Sequence, residues 1–444
     1  MSTQLPSRTD VLIVGAGPCG LTTALSLQKH GCTDILVVDS HAAGDNTSRA
    51  IAVHAATLEA IDEFIPAQRI VDAGVKATEG RMWDGYRFQP WANFGALEGY
   101  TKFPFILFVP QHVTERVLGD VVKEQGIRVV RPAKVVDLVP NEQDPDVTNA
   151  IFEDGQVVQA RYIVGADGTK STVRSIAGIS YLDPDGDDIA DATLGVVADV
   201  TLNYAPSAPT EPLMVLASGA FSLCLPLPAS SYAGRTVWRI AAGLPAGATP
   251  PHAPPTAYLQ GLLDAYGPGA LPPRARGSTQ RLAITDTLWA SRFVMASAAA
   301  ATPFARLRGA GGVLLLVGDA AHRHPPTGGQ GMNLGLRDAA FLGPVLAAHV
   351  RASATARGAQ GVPRAQLDRG LADWAAARHA RALKVIRTTK AMLARSSWKD
   401  ELVWYWGVVP VNWVRVRNFG MWVLGVTGIT ARVVPWDLSG LKGR

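Results

Sequence analysis

Cysteine is scarce in this sequence, with only Cys19, Cys32 and Cys224 among 444 residues. An odd and sparse set of cysteines provides no disulfide framework, and these three form no Cys-x-x-Cys metal motif. A chain with so few cysteines fits a reducing compartment, so we expect a cytoplasmic location.

Long apolar runs and a strong charge of one sign are also missing. No window reaches the ~18 uninterrupted apolar residues of a membrane-spanning helix, and the stretch Phe419 to Ile429 is too short. The N-terminal residues Met1 to Asp10 are polar and lack a signal-peptide core. Basic residues exceed acidic ones by only 42 to 37, without a nucleic-acid-binding signature, so nucleic acid is not an expected partner. The 444 residues suffice for two or three domains or one interleaved pair, and a hydrophobic content of 48% predicts a large packed core.

Glycine motifs carry most of the information that the sequence does contain. The first is Gly15-x-Gly17-x-x-Gly20, which follows an apolar strand and precedes a helix, and a second apolar strand ends at Asp39. The first glycine permits a tight turn, the second lets a pyrophosphate approach the backbone, and the third lets helix and strand pack closely. The helix N-terminus favours phosphates, and the carboxylate can bind ribose hydroxyls. The pattern predicts dinucleotide binding but does not separate FAD from NAD.

Two further apolar strands end in glycine and aspartate. Asp167 stands in a Gly-Ala-Asp-Gly turn, which by itself is equally typical of a protein surface. Gly318 and Asp319 follow the other strand and precede Pro325-Pro326, three glycines and a helix. Asp319 suits a hydroxyl of a ribityl or ribose chain, and the glycines free amide groups for a flavin carbonyl or a phosphate. The two prolines make the turn rigid and remove backbone N–H groups from it.

The rest of the chain divides into segments that differ in residue composition and pattern. Residues 75–100 are aromatic and irregular, and residues 181–290 carry short strand-like runs that predict a mostly antiparallel sheet. The apolar run at 313–317 predicts a return to the nucleotide-binding sheet. Residues 333–395 are rich in alanine and predict helix, which Pro344 should kink or break.

The three glycine motifs, in this order, resemble those of single-component FAD-dependent aromatic hydroxylases, the p-hydroxybenzoate hydroxylase-like and phenol hydroxylase-like flavoprotein monooxygenases. The resemblance covers most of residues 8–345. It implies an α/β fold in which a Rossmann-type FAD-binding domain is interleaved with a mostly antiparallel β-sheet substrate domain and followed by C-terminal helices. The implied divisions are residues 8–75, 101–180 and 280–345 for the FAD-binding domain, 76–100 and 181–279 for the substrate domain, and 346–444 for a C-terminal helical region.

The same resemblance implies where FAD is contacted. Arg49 matches an arginine that contacts FAD, Gln111 matches a glutamine beside the flavin, and Arg174 matches an arginine after the second motif. Relatives often carry a further arginine where Ala56 stands here. The predicted cofactor-binding residues are Gly15, Gly17, Gly20, Asp39, Arg49, Gln111, Asp167, Gly318, Asp319, Gly329, Gly331 and Asn333.

The resemblance also implies a reaction. NADH or NADPH reduces FAD once the substrate is bound, and O2 then adds at flavin C4a to give a hydroperoxide. An electron-rich aromatic ring, often a phenolate, attacks the distal oxygen. The protein positions the cofactor and keeps water out. The implied partners are therefore a small aromatic molecule and O2.

Three residues are candidates for acting on the substrate. His54 lies in the segment that reaches the flavin in relatives, and an imidazole titrates near neutral pH, which suits proton transfer. Arg239 lies on a predicted strand where it could hold a phenolate or carboxylate, and Pro325 lies in the turn that lines the flavin edge in relatives. A hydrogen-bonded core histidine and a surface arginine are equally compatible with the first two. His322 and His324 are interpreted as loop histidines, because no ligand cluster for a metal accompanies them.

Two other classes of flavoprotein have features in common with this sequence. Flavin-dependent halogenases share the implied fold, but the stretch Trp404 to Pro410 is one residue too long for their motif and lies too late in the chain. Residues 391–444 hold six of the eleven tryptophans, with seven basic residues against three acidic. Such a tail could lie at a membrane interface, as in a membrane-peripheral epoxidase or hydroxylase of a prenylated or quinone-like substrate. A tail packed on the FAD-binding domain, or on the partner in a homodimer, is the favoured interpretation.

Overall fold

The computed structural model describes most of the chain. The described residues are 4–44, 50–83, 88–186, 193–203, 212–217, 220–245, 247–273, 279–309, 311–326, 329–358, 363–396, 402–405 and 409–412. The strands in chain order are β1 (Arg8–Val14), β2 (Ile35–Val38), β3 (Ala52–Val53), β4 (Val75–Ala77), β5 (Glu79–Trp83), β6 (Phe88–Asn93), β7 (Ile106–Phe108), β8 (Arg128–Val130), β9 (Val135–Pro140), β10 (Thr148–Phe152), β11 (Val157–Gly165), β12 (Tyr181–Leu182), β13 (Thr193–Leu202), β14 (Leu213–Ala217), β15 (Ala220–Pro226), β16 (Trp238–Gly243), β17 (Ile284–Met295), β18 (Ala298–Ala300), β19 (Phe304–Arg306), β20 (Val313–Leu316), β21 (His322–Arg323), β22 (Leu402–Tyr405) and β23 (Val409–Asn412). The α-helices are α1 (Pro18–Lys29), α2 (Ala55–Asp62), α3 (Gln68–Val71), α4 (Gln111–Glu124), α5 (Thr172–Ile176), α6 (Thr256–Tyr266), α7 (Gln330–Gly358) and α8 (Arg364–Ser396).

The first sheet has the strand order β19-β20-β11-β1-β2-β8, and the β9–β10 hairpin pairs with β11. Strands β20, β11, β1, β2 and β8 run parallel. Helices α1, α4 and α7 pack on one face, and the hairpin and α5 pack on the other. Because both faces are covered, β2 and β20 are apolar and buried at every position instead of alternating. The carboxyl ends of the parallel strands meet at one edge.

The second sheet has the order β17-β13-β16-β15-β14-β5-β6 and is antiparallel except between β14 and β5. Helix α6 covers one of its faces. Two three-stranded sheets, β3-β7-β4 and β12-β18-β21, and the two-stranded sheet β22-β23 complete the sheets of the described residues. The predicted fold class, a Rossmann-type domain interleaved with a mostly antiparallel sheet domain, is confirmed.

Two segments differ from the sequence expectations. Strand β17 pairs with β13 along nearly its whole length and so belongs to the second sheet, although residues 280–345 had been assigned to the FAD-binding domain. Residues 75–100, expected to be irregular, contain β4, β5 and β6. Both segments are rich in the β-branched and aromatic residues that favour strands. The aromatic residues obscured the alternation that would have revealed β5 and β6.

The C-terminal region, residues 346–444, was expected to be helical. Helices α7 and α8 continue to Ser396, but beyond them the described residues form the β22–β23 hairpin, whose valines and aromatic residues favour strands. Most of the tryptophan-rich tail, including residues 413–444, lies outside the described residues, and so does the expectation of membrane contact. None of the helices within the described ranges combines the length and the apolar character needed to cross a bilayer.

Helix α7 continues through Pro344, where the sequence predicted a kink or a break. Proline has no N–H, so the carbonyl of Ala340, four residues earlier, loses its helical partner. The Ser26 hydroxyl on α1 donates a hydrogen bond of 2.8 Å to that carbonyl. Gly343 allows the close approach, because a Cβ there would lie 2.0 Å from Ser26 Oγ. The neighbouring helix thus replaces the bond that proline removes.

Replacing Ser26 with alanine should therefore destabilise the protein. The substitution leaves a buried carbonyl without a partner, which costs about 1–3 kcal/mol. Urea unfolding would measure this loss in the free energy of unfolding. Thr355→Ala is the matched control, because the Thr355 hydroxyl makes the same kind of bond, to Arg351 O, on an exposed turn of α7, where we expect a change within about 0.5 kcal/mol. Equal effects of the two substitutions would contradict this account of Pro344.

Candidate active site

The three glycine motifs meet at the carboxyl edge of the first sheet. The register aligns Val14 of β1 with Gly165 of β11, and Gly165 with Leu316 of β20. The turns that follow these strands are therefore neighbours in space although they lie far apart in the chain. Ligands of open α/β sheets bind at this edge.

The first turn needs glycine at two positions. Gly15 has a φ of +109°, and a Cβ on it would lie 2.3 Å from the carbonyl oxygen of Ala166 in the second motif. A Cβ on Gly20 would lie 1.8 Å from Gly15 O. Gly17 is the N-cap of α1, and nothing lies within 4 Å of its Cβ position. The turn is thus closed toward the sheet and open in front of the helix N-terminus.

Ala16, inside the first turn, is held by side chains from the two neighbouring strand ends. Its N–H donates to Asp39 Oδ2 at 2.7 Å, and its carbonyl accepts from Arg131 Nη2 at 2.5 Å. Asp39 Oδ1 accepts from the backbone N–H of His41 at 2.9 Å. Asp39, which the sequence predicts to bind a ribose, therefore lies beside the first turn and fixes its backbone. Arg131 was missed, although a polar residue directly after a buried strand is a usable signal.

Asp167, in the second motif, is held by the start of α5. Its Oδ2 accepts from the backbone N–H groups of Thr172, at 2.8 Å, and Val173, at 3.1 Å. Its Oδ1 is buried and has no hydrogen-bond partner among the described residues. Burial raises the pKa of this carboxyl group, and these hydrogen bonds oppose the rise. The second motif is therefore a turn fixed by hydrogen bonds, in which Asp167 Oδ1 can still accept a hydrogen bond.

The third motif packs against the first motif at the thiol of Cys19. Gly318 has a φ of +61°, and a Cβ on Gly318 or on Gly335 would lie 2.6 Å from Cys19 Sγ. Cys19 is partly buried, and desolvation of its thiol raises the thiol pKa far above the usual range, so the sulfur is a packing group rather than a nucleophile. The side chain of Asp319, the next residue, is exposed at the same sheet edge.

Tyr181 and Arg174 clamp the backbone around Asp319. The Tyr181 hydroxyl donates to Asp319 O at 3.0 Å, and Arg174 Nη1 donates to Ala320 O at 2.9 Å. The Arg174 guanidinium lies 3.8 Å from the centroid of the Tyr181 ring. The arginine after the second motif therefore supports the third motif. Tyr181 gave no signal in the sequence beyond its place on a short strand.

Asn333 ties the glycine loop to strand β3. Its Oδ1 accepts from His54 N at 2.8 Å, and its Nδ2 donates to Ala52 O at 2.8 Å and Gly329 O at 2.7 Å. The side chain is fully buried, so it positions the loop instead of reaching a ligand as the sequence had suggested. Gly331 lies in the first turn of α7 with nothing within 4 Å of its Cβ position.

His54 and Pro325 border the same loop. His54 is 2% exposed, and its Nε2 lies 3.7 Å from the Cβ position of Gly329. Pro325 is buried, and its carbonyl accepts from His324 Nδ1 at 2.9 Å. The predicted cofactor residue Arg49 lies outside the described residues. Two of the three candidate substrate residues, His54 and Pro325, therefore lie at the glycine loop.

His324 is held in its neutral form. Its Nδ1–H bonds to Pro325 O, and its Nε2 is buried without a hydrogen bond in the described part of the chain. Burial lowers the pKa of the imidazole to about 4. Between pH ~6.5, where an unfolded histidine titrates, and pH 4, the unfolded chain binds a proton that the folded chain does not. The histidine thus makes folding less favourable as the pH falls through that window.

Unfolding measured at two pH values should reveal this histidine. We expect the free energy of unfolding to fall by about 2 kcal/mol more between pH 7 and pH 5 in the native protein than in His324→Asn. Asparagine can still donate to Pro325 O but does not titrate. Every other group titrates in both proteins, so their difference isolates His324. Parallel pH profiles for the two proteins would rule the assignment out.

His322 is not the loop histidine that the sequence suggested. It lies on β21, and its Nε2–H donates to Asp338 Oδ2 of α7 at 2.5 Å. Arg378 Nε of α8 donates to Asp338 Oδ1 at 2.6 Å. Asp338 is 1% exposed, so this buried carboxylate joins three elements behind the third motif. Among the described residues, no group of three or more His, Cys, Asp or Glu side chains is arranged to hold a metal ion.

Gln111 and Arg239 meet at the backbone of Ala50. The Ala50 carbonyl accepts from Gln111 N at 3.0 Å and from Arg239 Nη1 at 3.3 Å. Ala50 N donates to Gln111 Oε1 at 3.4 Å. Gln111 is thus at the start of α4 beside the segment that leads to His54.

Arg239 is neither the surface arginine nor the substrate clamp that the sequence left open. It is 1% exposed and forms a bidentate pair with Asp199, with Nε–Oδ1 at 2.6 Å and Nη2–Oδ2 at 2.8 Å. The pairing satisfies its charge within the protein, because β13 and β16 place the two residues directly opposite each other. Sequence reading missed Asp199, since a single acid in an apolar strand has no local signature.

His112 and Tyr232 border this ion pair. The Tyr232 hydroxyl donates to Asp199 Oδ2 at 2.9 Å. The rings of His112 and Tyr232 meet edge to face, with their centroids 6.2 Å apart. Burial, followed by the charge of Arg239, lowers the pKa of His112. Its Nδ1 is buried and forms no hydrogen bond with the described residues. A neutral imidazole thus stands one residue after Gln111.

Known proteins share this arrangement. The family described as "FAD binding domain" matches residues 8–360. The chain belongs to this family. This FAD-binding protein is 33% identical over 344 residues to the rifampicin monooxygenase of Rhodococcus hoagii, covering 77% of the chain and 64% of that protein. It is 30% identical over 384 residues to the rifampicin monooxygenase of Streptomyces venezuelae, covering 86% and 71%.

A solved structure agrees with the sequence relatives. The OxyS anhydrotetracycline hydroxylase from Streptomyces rimosus matches this FAD-binding protein with a TM-score of 0.70 and 27% identity, over 98% of this chain and 77% of that chain. The resemblance to FAD-dependent aromatic hydroxylases is therefore confirmed. The chain spans 64% of the Rhodococcus relative's length, less than two thirds, so the activity of such relatives does not transfer by likeness alone.

The described residues fit FAD on structural grounds. The open N-terminus of α1 at Gly17 gives a diphosphate access to backbone N–H groups. The buried Oδ1 of Asp167 is an acceptor without a protein partner in the described part of the chain. The exposed Asp319 side chain lies on the same edge. The distribution of these groups along one sheet edge suits an extended dinucleotide.

Proposed function

We propose that this protein is an FAD-dependent monooxygenase that hydroxylates an aromatic, phenolic small molecule with NAD(P)H and O2 as co-substrates. One observation carries the proposal: the three glycine motifs converge at one edge of the first sheet, and the segment that leads to His54 is joined to the second sheet by the bond from Arg239 to Ala50 O. The monooxygenase and hydroxylase names of the relatives support the reaction class.

Residues of the first sheet would hold the cofactor. Gly15 and Gly17 would admit the diphosphate, Asp39 would bind a ribose, and Asp319 would bind a hydroxyl of the chain that leads to the flavin. Bound FAD supplies the acceptance of hydride from NAD(P)H and the activation of O2. The chain itself has to place the substrate, exclude water and manage the substrate's phenolic proton.

His54 is our candidate for the phenolic proton. Its Nε2 faces the Gly329 loop, and its backbone is fixed through Asn333. A buried imidazole whose main chain is anchored can hold or accept a proton at Nε2 in a constant position. Arg239 does not hold the substrate directly in this proposal, because its side-chain donors are bonded to Asp199 and to Ala50.

The proposal is tested by spectroscopy and product analysis. The purified protein should be yellow with a bound oxidised flavin. A panel of phenols should contain compounds that accelerate NADPH or NADH oxidation and are recovered with one added oxygen atom. A flavin-containing protein whose NAD(P)H oxidation no phenol stimulates would instead be a binding protein without this activity. A comparison of NADH with NADPH under the same conditions identifies the reductant.

A further inference from the structure

Helix α8 lies against the small sheet β12-β18-β21, which we call the rear sheet. Its middle strand, β18, contacts the helix and pairs with both outer strands. Strand β21 is itself a part of the third motif. Tyr181 of β12 donates its hydroxyl to Asp319 O, also in that motif. Both outer strands of the rear sheet therefore support the turn that carries Asp319.

Strand β12 has little apolar packing to hold it in place. It contains only Tyr181 and Leu182, and it pairs with two residues of β18. Leu182 is 69% exposed, so its side chain contributes little hydrophobic stabilisation. The Tyr181 ring lies on the guanidinium of Arg174, 3.8 Å from its centroid. The position of so short a strand therefore depends on polar contacts at its two ends.

An ion pair with α8 fixes the second end of β12. Asp183 directly follows the strand, and its Oδ1 accepts from Lys390 Nζ at 2.7 Å. The Asp183 side chain is 5% exposed and that of Lys390 is 21% exposed. Lys390 Nζ also donates to Asp185 Oδ2 at 2.8 Å, and the N–H of Asp185 donates to Asp183 Oδ1 at 2.8 Å. Salt and water screen a pair at this depth only weakly, so the lysine holds these residues in a defined place.

We propose that Lys390 is a positioning residue for FAD. It fixes Asp183, and Asp183 fixes the end of β12. Strand β12 in turn presents the Tyr181 hydroxyl to the carbonyl of Asp319, whose carboxylate we assign to a hydroxyl of the cofactor. The lysine acts through these residues and does not itself touch FAD. The inference rests on the placement of FAD at the third motif, as in the proposed function, and is independent of the reaction.

Loss of the ion pair should loosen β12 and leave the first sheet intact. Without Lys390, Asp183 would be a buried charge without its cation, which is unfavourable. Movement of residues 181–186 toward solvent relieves this cost, because little apolar surface holds them. The Tyr181 hydroxyl would then leave Asp319 O, and the turn would lose its fixed orientation. FAD binding would have to order the turn, and that ordering lowers the affinity.

FAD binding, measured without turnover, tests this role. Ultrafiltration of the diluted holoenzyme gives the dissociation constant from the flavin absorbance on each side of the membrane. We expect Lys390→Met to raise the dissociation constant for FAD about fivefold or more, the lower end of the coupling between linked sites. Lys390→Arg keeps the charge and should remain close to the native protein. Lys134→Met is the matched control, because the Lys134–Glu153 pair has the same Nζ–oxygen distance of 2.7 Å but more than half of both side chains exposed, and it should leave FAD binding unchanged.

A cycle with Tyr181→Phe distinguishes positioning from a general loss of stability. Phenylalanine removes the hydroxyl that holds Asp319 O and keeps a ring on Arg174. Because Lys390 acts through that hydroxyl, Lys390→Met should change FAD binding much less in the Tyr181→Phe background than in the native one. Asp183→Asn should reproduce the effect of Lys390→Met, and the two together should add little, because both remove the same ion pair.

Two results would overturn the inference. One is a Lys390→Met protein that is less stable to urea but binds FAD as tightly as the native protein. The other is an equal loss of FAD affinity with and without the Tyr181 hydroxyl. If Lys390→Met does not fold, Asp183→Asn, which keeps the shape of the side chain, takes its place in the same cycle. Weaker FAD binding in Lys390→Met, in a protein that oxygenates no phenol, would support the positioning role and reject the proposed reaction instead.

Discussion

Asp319→Ala is expected to yield a folded protein that has lost its yellow colour. The backbone around Asp319 is held by Tyr181, Arg174 and the contact of Gly318 with Cys19, so removing the carboxylate leaves the turn in place. A hydrogen bond to a charged group contributes about 1.5–3 kcal/mol, and each 1.4 kcal/mol is tenfold in affinity. We therefore expect the dissociation constant for FAD to rise by at least tenfold.

Absorbance of the purified protein and titration of the apoprotein with FAD measure this change. Asp154→Ala is the matched control, because that exposed carboxylate lies in the turn after β10, where it bonds to Gln156, and its loss should leave FAD binding unchanged. Asp319→Asn keeps the shape and removes the charge, so it should fall between the two. Full FAD occupancy in Asp319→Ala would show that the third motif does not hold the cofactor.

Asp338→Ala is expected to lower the free energy of unfolding by about 3 kcal/mol, because it leaves the largely buried charge of Arg378 without its partner. Burial by itself would raise the pKa of the Asp338 carboxyl, but the charges of Arg378 and His322 outweigh it and hold the pKa below the usual range. A depressed carboxyl pKa contributes stability above the unfolded-state value of ~3.9. The contribution is lost only as the pH falls through the folded-state pKa.

Urea unfolding at neutral pH measures the loss. Asp286→Ala provides the comparison, because the Arg235–Asp286 pair has more than half of both side chains exposed, and exposed pairs contribute at most about 1 kcal/mol. The two variants remove the same chemical group from an ion pair and differ in burial. Asp338→Ala with a stability close to that of Asp286→Ala would mean that the carboxylate is not the link between β21, α7 and α8.

The sequence was most informative where one short motif specifies the local structure. Gly15, Asp39 and Asp319 were predicted because a glycine turn or a strand-end acid carries its role within a few residues. Strand β17 was missed because its pairing with β13 is a tertiary contact with no local mark. The continuity of α7 through Pro344 was also unpredictable, since the compensating hydroxyl comes from Ser26, more than 300 residues earlier.

The candidate site residues, for substrate and for cofactor, show the same limit. Arg239 was singled out for its charge, but only the fold reveals Asp199 directly opposite it. Asn333 was singled out for its motif, and the structure gives its amide to Ala52, His54 and Gly329. A polar residue in a motif can serve a ligand or the backbone around it, and the chain alone does not distinguish the two.

The hydrogen bonds to the carbonyl of Ala50 have a practical consequence for exchanging the second sheet between relatives. It accepts from Arg239 on one side and from the backbone of Gln111 on the other. Two residues further on, Ala52 is bonded to Asn333, which also holds Gly329. The transplantable module is therefore larger than the sheet, because a grafted β16 requires a matching 50–54 segment. A chimaera whose junction lies at the apparent domain border would lose the hydrogen bonds at Ala50 and Ala52 that align the two domains.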